Sequence, residues 1–229
     1  MTFSLLGRCP ATGQLGAVVT TSDIAVGARV AFAAAGVGAG VTQSRTDPRL
    51  GPLILDKLRD GASPSEAVRR TADAHEHRSW RQLGAIDASG RAGHFTGPRA
   101  WPVAGALAGE DCLAIGNMLT GDSVLPAIAS GFCAAGGSLA GRLLAGLHAG
   151  ARAGGESGRL RSAALLVVER EAFPLVDLRV DDAEDPLAAL AALWRAYQPW
   201  AETFVARALD PDNADSAEPT SYRSSSTTT

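Results

Sequence analysis

Thr2 is the residue best placed for chemistry. A small second residue permits removal of the initiator Met1, which would leave threonine with a free α-amine beside its own hydroxyl. The reference pKa of an α-amine is about 7.7–8.0, so near neutral pH much of it is unprotonated and able to accept the hydroxyl proton, directly or through water. An internal threonine has no such built-in base. Amine and hydroxyl together make a nucleophile-and-base unit, the terminal-threonine form of covalent catalysis, and they predict attack on an amide carbonyl.

No other motif competes. The chain has no G-x-S-x-G elbow, no dinucleotide fingerprint and no phosphate loop with lysine. Gly36-Val37-Gly38-Ala39-Gly40 is glycine-rich but enters a strand. His75 and His77 lie two apart at a helix end, which splays their rings, and no third ligand follows, so no metal site is expected. His94, beside Phe95-Thr96-Gly97 at a strand end, is a candidate for the pocket. The proposed chemistry needs no metal or organic cofactor.

Several elements must position Thr2. Residues Thr2 to Arg8 alternate as a strand, Cys9-Pro10-Ala11-Thr12-Gly13 turns, and Leu15, Ala17 and Val19 alternate in a second strand. If Arg8 faces Leu15, the register sets Thr21 opposite Thr2, with Thr20, Ser22 and Asp23 around it. Two further strands are expected over 26–32 and 37–43. Asp47-Pro48 predicts a helix start, with Leu50, Leu53, Ile54 and Leu58 on one face and Gly61 as its stop. Ser63-Pro64-Ser65-Glu66 is a capping box for a second helix to about Ala74. Strands follow over 82–87 and 91–96, flanking Ala88-Ser89-Gly90, and a short buried strand over 112–116. Two more helices are expected over 124–133 and around Leu139 to Leu147. Strands 163–168 and 176–180 pair as a hairpin, and Asp185-Pro186 caps a last helix that resumes after Pro199. This order, with helices in pairs between groups of hairpin strands, predicts an α+β fold of two antiparallel sheets with helix pairs outside them. One domain is expected over 1–209, with 210–229, which ends Ser-Ser-Ser-Thr-Thr-Thr, as a disordered tail.

Composition narrows the function classes. Of 229 residues, 46% are hydrophobic and 20% charged, enough for a substantial core, and the net charge is -3. No basic stripe is present, so neither nucleic acid nor an anionic membrane is an expected partner. No apolar run reaches about 18 residues, and no basic segment followed by an apolar run opens the chain, so neither a transmembrane helix nor a signal peptide is expected. Cys9, Cys112 and Cys133 are odd in number and far apart, as in a reduced, cytoplasmic protein.

The chain also resembles a known family. The opening Met-Thr-Phe-Ser, the strand from Gly16 to Val19, Ala25-Val26-Gly27-Ala28, Val41-Thr42-Gln43-Ser44 and Pro48-Arg49-Leu50-Gly51-Pro52 match it in order. So do Gln82-Leu83-Gly84-Ala85-Ile86-Asp87-Ala88, Thr96-Gly97, Gly116-Asn117-Met118-Leu119, Ser162-Ala163-Ala164-Leu165-Leu166-Val167 and Val176-Asp177-Leu178-Arg179-Val180-Asp181-Asp182. Over residues 2 to 198 the chain is similar to the DUF1028 family of N-terminal-nucleophile (Ntn) hydrolase-like proteins. The resemblance implies a four-layer αββα sandwich, Thr2 as the terminal nucleophile, and amide hydrolysis through an acyl-enzyme. Three departures stand out: Ser22-Asp23 where members carry Ser-Lys, Ile115 before Gly116-Asn117 where members carry Gln, and Arg161 before Ser162 where members carry Gln.

The resulting expectation is a small-molecule amidohydrolase acting on a linear or cyclic amide, imide or ureide. Thr2 attacks and its amine shuttles the proton, while Asn117 donates to the oxyanion. Ser22 and Gln43 orient amine or substrate, and Asp23, His94 and Arg161 are further pocket candidates. The alternative is a metabolite-binding protein on the same fold, motivated by the departures. Because Ntn folds often associate through their helix layers, a homo-oligomer is expected.

Overall fold

The opening hairpin forms the middle of a sheet, because both its strands are buried. In a computed structural model, which describes residues 2–214, β1 (Thr2–Arg8) turns at Gly13, in left-handed backbone at φ 75°, into β2 (Leu15–Thr21). Arg8 pairs with Leu15 and Phe3 with Thr20, the register the alternation predicts. Next come β3 (Ala31–Ala34), β4 (Gly38–Ser44), α1 (Leu50–Arg59), α2 (Pro64–Asp73), β5 (Arg81–Asp87) and β6 (Ala92–Thr96). Then β7 (Gly105–Gly109), β8 (Cys112–Asn117), α3 (Val124–Ala134), α4 (Leu139–Arg152), β9 (Ser162–Val168), β10 (Val176–Val180), α5 (Pro186–Tyr197) and α6 (Ala201–Leu209) complete the order. Met1 and the stretch 215–229, which holds most of the expected tail, lie outside the described residues.

The strands form two antiparallel sheets, one ordered β10-β9-β2-β1-β8-β7 and the other β3-β4-β5-β6. Three apolar clusters show how they pack. Alternation along β1 sends Phe3 and Leu5 toward α3, α4 and α5, and Leu6 toward the second sheet. Between the sheets, Leu6, Leu15, Ala17, Val19, Leu113 and Ile115 meet Ala39, Val41 and Ile86. On the far face of the second sheet, Leu83 and Ala85 pack on Leu50, Ile54, Leu58 and Val68 of α1 and α2. Burying each such side chain contributes roughly 1.5–3 kcal/mol, far more than helix propensity does.

Local signals hold in some places and yield in others. Ser63 and Glu66 complete their capping box, and Asp185 Oδ1 accepts from Ala188 N at 2.9 Å. The strand expected over 26–32 is instead a single 3-10 turn, Val26–Ala28, followed by β3. Ala25 turns the chain with φ 53°, and the Ser162 hydroxyl accepts from Val26 N at 3.1 Å, so this backbone leaves the sheet ladder. The regular part of α1 begins at Leu50, two residues past Pro48, and Asp47 caps the turn that leads into it: its Oδ1 accepts from Arg49 N at 3.1 Å. Its carboxylate also takes the Arg49 guanidinium, at 2.9 and 2.7 Å. The edge strand β7, Gly-Ala-Leu-Ala-Gly, carries no alternation to announce it.

Candidate active site

The layer between the sheets is apolar in the middle and polar at one end. Residues two apart on a strand share a face, so Leu6, Ser4 and Thr2 of β1 all point toward the second sheet. By the same parity β2 brings Thr21, β8 brings Asn117, β4 brings Gln43 and β5 brings Gln82 to this end. Thr2 stands opposite Asn117 in the β1–β8 ladder, and its hydroxyl lies 3.2 Å from that of Thr21. With Met1 attached, Thr2 is 5% exposed and Asn117 is fully buried.

A hydrogen-bonded chain ties the two sheets together here. The Ser4 hydroxyl donates to Gln43 Oε1 at 2.7 Å, and Gln43 Nε2 donates to Gln82 Oε1 at 2.8 Å. Gln82 Oε1 also receives Asn117 Nδ2 at 2.9 Å, while Gln82 Nε2 donates to the Gly116 carbonyl at 2.8 Å. All four side chains are fully buried. Chains of this sort fix each member's orientation, since an unmade hydrogen bond in a low-dielectric interior costs about 1–3 kcal/mol. The Asn117 carbonyl oxygen, Oδ1, nonetheless has no partner.

A second group short of donors lies close by. Glu156 follows α4, and its segment pairs with the chain just beyond β8: Leu119 bridges Glu156, and Ser157 N donates to the Met118 carbonyl at 2.9 Å. Gly155 packs beside the Phe3 ring, so Glu156 sits at the start of β1. Glu156 is 6% exposed, and the Ser22 hydroxyl and backbone N–H face its carboxyl without completing a full hydrogen bond to either oxygen. Burial raises its pKa, while the nearby Ser22 and the positive charge of the chain's amino terminus pull the other way. Glu156 lies in a loop without periodicity. Its only sequence signal is a lone acid flanked by Gly154-Gly155 and Ser157-Gly158, so it is not among the expected site residues.

The expected site residues divide accordingly. Thr2 and Asn117 are paired, Gln43 reaches Asn117 through Gln82, and Ser22 lies beside Glu156. Arg161 keeps only its backbone at the site, where its N–H donates to the Thr21 carbonyl at 2.8 Å; its guanidinium forms a fork with Asp182 at 3.0 and 2.7 Å. The Asp23 side chain is 73% exposed and pairs with Arg29 at 3.4 Å. His94 is exposed on the edge strand β6, opposite Gly84. Among the described residues no group of three or more His, Cys, Asp or Glu is arranged to hold a metal ion, and no helix is long and apolar enough to cross a membrane.

The polar ends of the two sheets meet at Thr2, Thr21, Asn117, Gln43 and Gln82. The chain belongs to the DUF1028 family: the model described as "Family of unknown function (DUF1028)" matches residues 2–190. It is also similar to a crystal structure of a DUF1028 protein, SPO2555 from Silicibacter pomeroyi, at 35% identity over 86% of each chain with a TM-score of 0.81. No curated protein matches the sequence.

Proposed function

We propose that this protein is an N-terminal-nucleophile amidohydrolase in which Thr2, once Met1 is removed, attacks a small linear or cyclic amide, imide or ureide. The stacking of two antiparallel sheets between helices is what a four-layer αββα Ntn sandwich requires. The observation that carries the proposal is a shortage of donors at the start of β1. Asn117 Oδ1 is a buried acceptor without a partner, and the buried Glu156 carboxyl is approached by the Ser22 hydroxyl and backbone N–H without a completed hydrogen bond to either oxygen. Buried acceptors in native proteins are nearly always satisfied, and an α-amine at Thr2 would bring new donors to this spot.

The Thr2 hydroxyl adds to the carbonyl carbon while its amine takes the proton. Collapse of the tetrahedral adduct expels the leaving nitrogen, which receives that proton, and water then hydrolyses the ester by the same route in reverse. Asn117 Nδ2 gives one hydrogen to Gln82, and we assign the other to the developing oxyanion. Gln82 and Gln43 act as positioning residues, and Glu156 with Ser22 holds the amine. The test is intact mass after incubation with an amide-reactive acylating probe. A single adduct mapping to Thr2, and absent from Thr2→Ala, is expected. An unmodified wild-type chain with Met1 removed would instead leave a metabolite-binding protein.

A further inference from the structure

The loops at this end of the sheets carry arginines and tryptophans that the chemistry above does not use. Arg45 follows β4, and its guanidinium carbon lies 5.4 Å from the Trp101 ring centre and 5.7 Å from that of Trp80. Arg99 stacks on the other indole, 4.6 Å from the Trp80 ring centre. Backbone bonds join the cluster to the candidate site. The Trp101 carbonyl accepts at 3.2 Å from the N–H of Met118, the residue after Asn117. Arg81 directly precedes Gln82 in β5 and stands opposite Ser44.

The charges do not balance. Arg45 and Arg99 reach no carboxylate among the described residues. Arg81 donates one terminal nitrogen to the Arg45 carbonyl, its other terminal nitrogen is 3.7 Å from Asp47, and its Nε is buried without a partner. Asp47 is already taken by Arg49 at 2.7 Å and by His75 at 3.1 Å. Asp47 therefore meets Arg49 and Arg81 but neither Arg45 nor Arg99, and the neighbouring Glu76 is turned to His77 at 3.0 Å. A cavity of about 310 Å³ opens beside Arg45 and Arg81, lined by Arg45, His77, Trp80 and Arg81.

We propose that this cavity binds the carboxylate of a small, flat organic acid, held by the guanidinium groups of Arg45 and Arg81 with its plane against the Trp80 indole. Guanidinium forks match a carboxylate in geometry as well as charge, and a uniform local sign raises the concentration of such ligands. If Thr2 is the nucleophile, which this inference takes from the reading above only for the bond that is cut, the substrate is an amide that also bears a free carboxylate.

Calorimetric titration of the Thr2→Ala variant, which cannot acylate, isolates binding from turnover. The probes are hippurate, benzoate and phthalate, with hippuramide as the uncharged control. Saturable binding of at least one acid is expected, weakened by salt. The control should bind at least about tenfold more weakly, and Arg45→Ala should lose a similar factor while melting as the parent does. Failure of all three acids to bind, equal affinity for hippurate and hippuramide, or affinity indifferent to Arg45→Ala would overturn the subsite while leaving Thr2 untouched. Arginine-dependent binding of acids alongside a failed acylation assay would reject the nucleophile and keep the subsite.

Discussion

Asn117 gives its Nδ2 hydrogen to Gln82 Oε1 at 2.9 Å, and its own Oδ1 stays buried with no partner. Rotating the amide does not relieve this. Gln82 Oε1 already accepts from Gln43, and Gln82 Nε2 is held by the Gly116 carbonyl, so a rotated Asn117 would set oxygen against oxygen. The network thus fixes an acceptor beside Thr2. Replacing Asn117 by alanine should lower kcat by about 10²–10³ if Nδ2 serves the oxyanion. It should also cost about 1–3 kcal/mol of stability, because Gln82 Oε1 loses a donor. Steady-state kinetics and thermal melts measure the two effects separately; an unchanged kcat in a folded variant removes Asn117 from the mechanism.

Thr2→Ala should abolish turnover with little change in folding. The variant loses the hydroxyl contact with Thr21 at 3.2 Å, worth about 1 kcal/mol. For a domain of this size that is about 2–4 °C in Tm. Thr2→Ser should keep the amine and hydroxyl together and retain measurable turnover. Comparing the two by product release separates loss of the nucleophile from loss of packing.

The hairpin register was legible because the short turn at Cys9 to Gly13 sets Arg8 against Leu15, from which the pairing of Phe3 with Thr20 follows by count. Ser63 and Asp185 were legible because capping is local chemistry. The Ser4–Gln43–Gln82–Asn117 chain was not, since its members meet only after two sheets stack, and neither Gln43 nor Gln82 departs from its strand pattern. Glu156 was invisible for a different reason: a loop acid acquires meaning only from its burial.

Glu156 also makes stability depend on pH in a definite direction. Burial raises its folded pKa above the unfolded value, so in the window between the two the unfolded chain holds fewer protons and stability falls as pH rises. Below the unfolded value nothing is lost; above the folded value the penalty is constant. Glu156→Gln should therefore melt higher than wild type above that window and match it more closely in acid. In the processed enzyme the same change removes a negative charge from beside the Thr2 amine. The acid limb of kcat/KM should then move to lower pH. Melts and rate profiles across pH 4–9 test both signs, and a variant less stable at every pH contradicts the first.

Asp47 works in the opposite sense. The Arg49 guanidinium holds its carboxyl down to about 2, so the pair contributes stability above the unfolded pKa of Asp, about 3.9, that is lost as pH falls toward 2. Arg49 is largely exposed and screened, which limits the contribution to a small amount. Asp47→Asn should lose that amount near pH 7 and narrow its deficit in acid, as denaturant titrations at pH 7 and pH 3 would show. It should also weaken the seating of His75, 3.1 Å away.

The strongest demand concerns the bond before Thr2. While Met1 remains, the nitrogen of Thr2 is an amide nitrogen whose lone pair is delocalised and which cannot accept the hydroxyl proton. Intact mass of active protein should therefore be short by one methionine, and specific activity should scale with the processed fraction. A removable extension fused ahead of Thr2 sharpens the test. The fused protein should fold and stay inactive, then gain activity at the rate at which the protease frees Thr2. Full activity before cleavage would mean that the base is some other group and that Glu156 and Asn117 Oδ1 do not await an amine.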